Sequence, residues 1–208
     1  RVTNRSGLSG VVRIGVPSVL TGDILPALQP LLQEHPGLRL ELSVHDRPVN
    51  PVSVGLDVLI MGGVLDDSTL VARKLDQVTL VYAASQGYLA EHGEPRTPAD
   101  LTAHRTLHFR MNPPQSSWTL TDAQGEQHTV PVSGQLEADD GRALVDALRA
   151  GMGIGATSER VLRARPELRR VLPGYRGFSF PVYAIYPTSG QRSARLQAVV
   201  GALERVVT

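Results

Sequence analysis

Residues 10–44 read GVVRIGVPSVLTGDILPALQPLLQEHPGLRLELSV, and their pattern decides the fold class. Val11-Val12-Arg13-Ile14-Gly15-Val16 is a short β-branched run, the mark of a strand, and Pro17-Ser18 ends it. Thr21-Gly22-Asp23 supplies helix-start residues, and Pro26 is tolerable in a first turn. Ile24, Leu25, Leu28, Leu31 and Leu32 then recur at a helical period until His35-Pro36-Gly37 stops them. Pro30 sits too deep for a first turn and is expected to kink this helix or delay its start. From Leu38 to Val44 apolar and polar residues alternate, as in a half-buried strand. Asp57-Val58-Leu59-Ile60-Met61 adds a third, more buried strand ending in Gly62-Gly63. Strands alternating with helices favour an α/β fold with a mostly parallel sheet.

The same reading extends to the end of the chain. Strands are expected at 79–84, 106–110, 153–156 and 180–186. Trp118 to Leu120 and Thr129 to Val132 flank the turn Asp122-Ala123-Gln124-Gly125 as an antiparallel hairpin. Helices are expected at 85–92, from Thr97, at 142–150 with Gly151 at its end, from Thr157, and at 193–207. Residues 1–9 are polar and read as the end of a linker. No repeat and no linker-like stretch follows Gly10, so two α/β lobes would have to interleave in sequence.

Composition sets the outer limits. The 208 residues are enough for one large domain or two small ones, and 41% apolar with 20% charged is globular. A net charge of +1 gives no basic excess of the kind that marks a nucleic-acid binder. Zero cysteines rule out disulfides, thiol catalysis and cysteine-ligated zinc. No apolar run approaches the ~20 residues of a membrane helix. Lys74 is the one lysine among 21 basic residues, which reads as the codon bias of a GC-rich genome. The chain opens at Arg1 without an initiator methionine and is therefore expected to be a processed product or an excised fragment.

The order of elements, with several local strings, resembles the effector-binding domain of LysR-type transcriptional regulators. The strings are Gly10-Val11-Val12-Arg13-Ile14-Gly15, Leu25-Pro26, His35-Pro36, Leu40-Glu41-Leu42 and Gly55-Leu56-Asp57-Val58. The most distinctive addition is Asp67-Ser68-Thr69-Leu70-Val71-Ala72-Arg73-Lys74-Leu75. Tyr88-Leu89-Ala90, Pro98-Ala99-Asp100-Leu101, Trp118, Gly151-Met152-Gly153-Ile154, Val171-Leu172-Pro173 and Tyr183-Ala184-Ile185-Tyr186-Pro187 follow in order. Each is weak alone; their order over most of the chain carries the resemblance. It implies a two-lobed, type II periplasmic-binding-protein-like α/β fold. Lobe I would be 10–76 plus 180–208, and lobe II, inserted, 77–179. It implies a small-molecule effector in the inter-lobe cleft, a cytoplasmic bacterial location, no cofactor and no catalysis. It also implies a homodimer, lobe I first helix (24–33) against lobe II helix 142–150, and a tetramer in the parent. DNA would be bound through a winged helix-turn-helix ahead of this region, which this chain does not include.

In such a fold the ligand site lies at the carboxyl ends of parallel strands, facing helix N-termini. Ser18, Val19, Leu20 and Thr21 stand there, and a helix start favours an anion. The competing reading of Ser18 is a plain helix cap. Met61 and Gly62 end the third strand; many family members carry an arginine near Met61, so here the residue either packs the core or meets an apolar ligand body. Arg47 replaces that charge or is a solvated loop residue. From lobe II come Phe109, Arg110, Asp139, Asp140 and Thr157. Arg110 suits a carboxylate, Asp140 suits an N-cap, and Thr157 is a helix-start hydroxyl. Together these favour an organic anion with an apolar body.

Two other readings compete. A free-standing solute-binding protein of a transporter would share the fold. An enzyme on the same scaffold would need Asp139-Asp140 as a carboxylate pair, but adjacent turn residues point apart. Asp66-Asp67 reads as a solvated turn, and His104 with His108 lacks a third ligand for zinc. Gly151-Met152-Gly153-Ile154-Gly155 is glycine-rich but follows a helix, so it is not a phosphate loop.

Overall fold

The computed structural model describes residues 7–63, 69–110 and 115–207. In chain order the elements are β1 (Ser9–Val16), α1 (Thr21–Glu34), β2 (Gly37–Val44), β3 (Val58–Gly62), β4 (Leu70–Ser85), α2 (Gln86–His92), β5 (Thr106–Phe109), β6 (Ser117–Thr121), β7 (Gln127–Pro131), β8 (Gly134–Ala138), α3 (Gly141–Arg149), β9 (Ile154–Ser158), α4 (Glu159–Arg163), β10 (Leu168–Val171), β11 (Ser179–Pro187) and α5 (Ala194–Val207). Short 3-10 turns lie at Ser18–Leu20, Pro98–Ala103 and Thr188–Arg192. Two compact units result: Arg1–Gln77 with Pro181–Thr208, and Val78–Phe180. The chain passes from one to the other inside β4 and again inside β11. No helix among the described residues is long and apolar enough to cross a membrane. Asp66, Asp67 and Ser68 lie outside the described residues.

In the first unit β2, β1 and β3 are parallel, and β11 runs antiparallel to β3. Val12, Ile14 and Val16 of β1 are fully buried, as alternation demands. Helices α1 and α5 pack together, burying Ile24, Leu28 and Leu31 of α1 with Leu196, Val199, Val200 and Leu203 of α5. Helix α1 starts at Thr21 and runs through Pro30, so Pro30 does not delay its start. Pro26 and Pro30 are four apart and both exposed. The carbonyl that Pro30 leaves without its helical partner therefore lies on the wet side, where solvent satisfies it.

In the second unit β9, β5 and β8 are parallel neighbours, while β4 runs antiparallel to β9 and to β10. The β6–β7 hairpin forms as its turn predicts, with Trp118 opposite Val130. Its apolar residues Trp118, Leu120 and Val130 join Tyr82, Tyr88, Leu101, Ile154 and Leu172 in one core. Burial pushes the Tyr82 hydroxyl up to about 12. Strand β4 is far longer than the 79–84 expected, and β8 and β10 are additions to the predicted set. The helix expected from Thr97 is a 3-10 turn, held where Asp100 accepts the N–H groups of Arg96 and Thr97 at 2.9 and 2.8 Å.

Candidate functional site

In each unit the topology gathers candidate residues at the carboxyl edge of three adjacent parallel strands. Strand β1 ends at Val16, whose register partner Val44 ends β2, and β3 ends beside them at Gly62. Ser18, Val19, Leu20 and Thr21 follow β1, Arg47 follows β2, and Met61 and Gly62 close β3. In the second unit β5, β8 and β9 end at Phe109, Ala138 and Ser158. Arg110, Asp139 and Asp140 follow, and Thr157 is the penultimate residue of β9.

The first residue of the 3-10 turn that leads into α1, Ser18, is held by the protein's own Asp46 carboxylate. The His45 N–H donates to the Val16 carbonyl at 2.8 Å, which prolongs the β1–β2 pairing and sets Asp46 beside Ser18. The Ser18 backbone N–H and its hydroxyl then donate to the two Asp46 carboxylate oxygens, each at 2.6 Å. Both bonds are charge-assisted. Thr21 does not cap α1 with its side chain; its hydroxyl donates back to the Ser18 carbonyl at 2.9 Å. Val19 and Leu20 are half-buried in the 3-10 turn that leads into the helix. Sequence reasoning missed Asp46 because the contact spans 28 residues, beyond any local capping pattern.

Met61 is 5% exposed and packs with Leu56, Leu59 and Ile185, opposite Tyr183 on β11. Of its two readings, core packing describes what its side chain touches. Gly62 pairs with Val182 on the same ladder. Arg47 is exposed in the loop directly after Asp46.

Across the β5–β8 ladder Phe109 faces Ala138, and the Arg110 N–H donates to the Ala138 carbonyl at 2.8 Å. This register brings the Arg110 guanidinium to 3.5 Å from an Asp139 oxygen, with both side chains about half exposed. Asp140 accepts the Ala143 N–H at 2.9 Å and is the N-cap of α3. The two aspartates thus face different partners and form no carboxylate pair. Thr157 needs correction. It lies buried inside β9 opposite Val81, and the helix-start role belongs to Ser158, whose hydroxyl accepts the Val161 N–H at 3.3 Å. The strand runs two residues further than its glycine-rich beginning suggested.

Other titratable groups are structural in their contacts. His108 is 3% exposed; its Nε2 meets the Thr106 hydroxyl at 2.7 Å, and its ring lies 5.2 Å from that of Trp118. Its Nδ1 has no hydrogen-bond partner. Burial lowers its pKa, against a weaker upward pull from Glu137. Asp122, Glu126 and His128 bring ligand-type atoms within 4.8 Å of one another at the hairpin turn. One Asp122 oxygen accepts the Gln124 and Glu126 N–H groups, and the other lies 3.0 Å from His128 Nε2. Those contacts, led by His128, lower the Asp122 pKa and lock the turn.

Residues 5–208 match the family model described as the LysR substrate binding domain. The chain is 32% identical over 198 residues to the HTH-type transcriptional activator AaeR of Escherichia coli K12, covering 93% of this chain and 64% of that one. It is 34% identical over 200 residues to YhjC of the same strain, described as an uncharacterized HTH-type transcriptional regulator, covering 92% and 66%. It thus spans a little under two thirds of the length of these curated relatives. Among solved structures, the regulatory domain of CrgA from Neisseria meningitidis matches with a TM-score of 0.84 and 26% identity, covering 97% of this chain and all of that one. The full-length Vibrio cholerae virulence activator AphB matches with a TM-score of 0.80 and 25% identity, covering 97% and 70%.

Proposed function

This chain belongs to the LysR substrate-binding-domain family, and from that membership we propose that it senses a small-molecule effector on behalf of a DNA-binding transcriptional regulator. The observation that carries the reading is the convergence, in each unit, of polar candidates on the carboxyl edge of parallel strands, the place where ligands meet this kind of sheet. Candidate effector contacts are Ser18, Val19, Thr21, Arg47 and Gly62 of the first unit, and Phe109, Arg110 and Asp139 of the second. The domain does no chemistry in this reading. The effector shifts a conformational balance through its differential affinity for two states. A transporter's solute-binding protein is not favoured, since relatives such as AaeR and YhjC are transcriptional regulators.

The regulator acts in the bacterial cytoplasm, where its DNA is, and assembles through this domain. Leu25 and Leu32 of α1 are 54% and 37% exposed, and Met152 beyond α3 is exposed as well. These apolar surfaces support a homodimer that sets α1 of one copy against α3 of another, and a tetramer in the longer parent. The DNA contacts belong to a part of the regulator beyond this domain.

A thermal-shift screen of small organic compounds tests the sensing reading. An effector at about 100 times its Kd adds about 2.7 kcal/mol of stability. That is roughly 5–10 °C for a chain of this size. Ser18→Ala and Arg110→Ala are expected to shrink the shift. If both variants leave it untouched, the candidate contacts are wrong.

A further inference from the structure

We infer that His108 is an acid latch in the second unit: its neutral ring seats the β6–β7 hairpin, and its protonation releases that hairpin locally. The latch answers to acid with no small molecule bound, and so lies beyond the effector-sensing reading.

Three observations carry it. First, the hairpin shares no ladder with another strand among the described residues. Its backbone meets the rest of the unit at one isolated bridge. There the Thr121 N–H donates to the Arg176 carbonyl at 2.8 Å, and the Arg176 N–H to the Thr121 carbonyl at 3.0 Å. Packing of Trp118, Leu120 and Val130 in the core adds to its hold. An element held this way opens at less cost than a core strand. Second, that packing closes over an ionisable ring. Trp118 is 6% exposed, with its ring centroid 4.9 Å from that of Tyr82 and 5.2 Å from that of His108. Gly134 of β8 crowds the imidazole edge, where a Cβ would stand 3.0 Å from Nε2. Third, the closed pocket has no place for a second proton. The fully buried Thr106 hydroxyl meets Nε2 at 2.7 Å, and Nδ1 is buried with no partner among the described protein groups. A neutral imidazole carries one N–H donor and an imidazolium two. Protonation therefore adds a charge and a donor where at most one acceptor waits, and an opened hairpin gives both to water.

The charges around the ring do not reverse this. Glu137 faces it across the β5–β8 ladder, and its pull toward the protonated form is weaker than the opposing effect of burial. Tyr82, behind Trp118, keeps its proton throughout the acid range. The neighbouring strand β9, Ile154–Ser158, carries no ionisable side chain. At the turn of the hairpin His128 lies 3.0 Å from an Asp122 oxygen, so its protonation tightens the turn and does not open it. Because the closed ring holds a proton less tightly than a solvated one, opening takes up a proton below the ordinary histidine value of about 6.5. Opening is thus independent of pH above that value and grows by up to about tenfold per unit of pH below it.

Hydrogen exchange in the isotope-labelled domain tests the latch. The Thr121 and Arg176 amides report the bridge, and each rate is divided by its intrinsic rate at the same pH. Their protection is expected to hold level above about pH 7 and to fall by up to about tenfold per unit toward about pH 5. It is expected to stay below that of the Ile154 amide, which bonds to the Arg105 carbonyl at 2.9 Å between β9 and β5. His108→Gln, which keeps a polar side chain for Thr106 and takes up no proton, is expected to remove the slope, and His104→Gln to keep it. The inference is overturned if protection at the bridge ignores pH, or if His108→Gln leaves the slope as it was. It is equally overturned if the bridge is protected as strongly as Ile154, since the hairpin then opens only with the whole unit. Should His108→Gln fail to fold, the ring answers in the native domain: its carbon signal is expected to remain that of a neutral imidazole through about pH 6.5. A His108 ring that titrates at the ordinary value overturns the inference as well.

Discussion

The glycines of Gly151-Met152-Gly153-Ile154-Gly155 are there for three separate steric reasons, and replacing each by alanine separates them. Gly151 is the C′ residue of α3, with φ of +74°. Its N–H donates to the Leu148 carbonyl and the Met152 N–H to the Ala147 carbonyl, both at 3.1 Å, which is the Schellman closure of a helix. Alanine in that left-handed conformation costs about 1–2 kcal/mol. Gly153 is set by crowding: a Cβ there would lie 2.5 Å from the Arg105 carbonyl oxygen and 3.0 Å from its carbon. That oxygen accepts the Ile154 N–H at 2.9 Å, the bond that seats β9 beside β5. Backbone must move, so overpacking of about 1–3 kcal/mol adds to a weakened hydrogen bond of about 1 kcal/mol. At Gly155 the nearest atom would be Leu148 Cδ2 at 3.3 Å, the movable end of a side chain. Every Gly→Ala change also stiffens the unfolded chain, which returns about 0.4–1 kcal/mol. The net losses are then about 2–3 kcal/mol for Gly153→Ala, about 1 for Gly151→Ala and within about 1 of zero for Gly155→Ala. Urea unfolding of the three variants, followed by Trp118 fluorescence, gives the order. A Gly155→Ala loss larger than that of Gly153→Ala would refute the steric assignment.

Further outcomes follow from the same contacts. Asp140→Ala should cost about 1 kcal/mol by removing the α3 cap, and Asp140→Asn should restore most of it, both read from urea midpoints. His104 and His108 are both shifted down, chiefly by burial, so in acid the unfolded chain takes up protons that the folded chain refuses. Stability is therefore full above the ordinary histidine value of about 6.5 and falls as the pH drops below it. His108→Gln should flatten the fall in melting temperature between about pH 7 and pH 5.5, and an unchanged slope would remove His108 from that role. Leu25→Glu should leave monomer stability within about 0.5 kcal/mol, because the side chain is exposed. It should nevertheless shift sedimentation from dimer to monomer, and an unaltered sedimentation coefficient would place the interface elsewhere.

What the sequence made legible was local. The run from β1 through α1 to β2 declares itself because each element carries its own period and its own stop. The hairpin of β6 and β7 is written in the turn at Asp122 to Gly125, and the N-cap role of Asp140 in its position before an amphipathic helix. The elements that escaped lack such marks. Strand β8, Gly134–Ala138, has no buried residue and alternates over only four positions, and it is placed by the parallel edge of β5. Strand β10 is four residues long. The first half of β4 buries little besides Leu75, so periodicity could not extend the strand back to Leu70. At the site, the strand ends were legible and their partners were not. Asp46 on Ser18, and Asp139 on Arg110, are decided by which strands lie side by side. In the glycine-rich stretch Gly151 closes a helix and Gly153 admits a neighbouring backbone.

In the proposed function, effector binding to this domain is coupled to DNA binding by the regulator that carries it. The direct measurement is the affinity of the intact regulator for its operator, by fluorescence anisotropy at fixed salt, with and without a saturating compound from the thermal-shift screen. Coupling of about 1–3 kcal/mol, or roughly 5–150-fold in affinity, is the usual range for such linkage. Because the coupling is reciprocal, operator DNA must change the regulator's affinity for the compound by the same factor. Ser18→Ala should weaken the compound's binding and with it the effect on DNA at a given concentration. A compound that binds this domain tightly while operator affinity stays the same, in the native regulator and in both directions, would contradict that coupling.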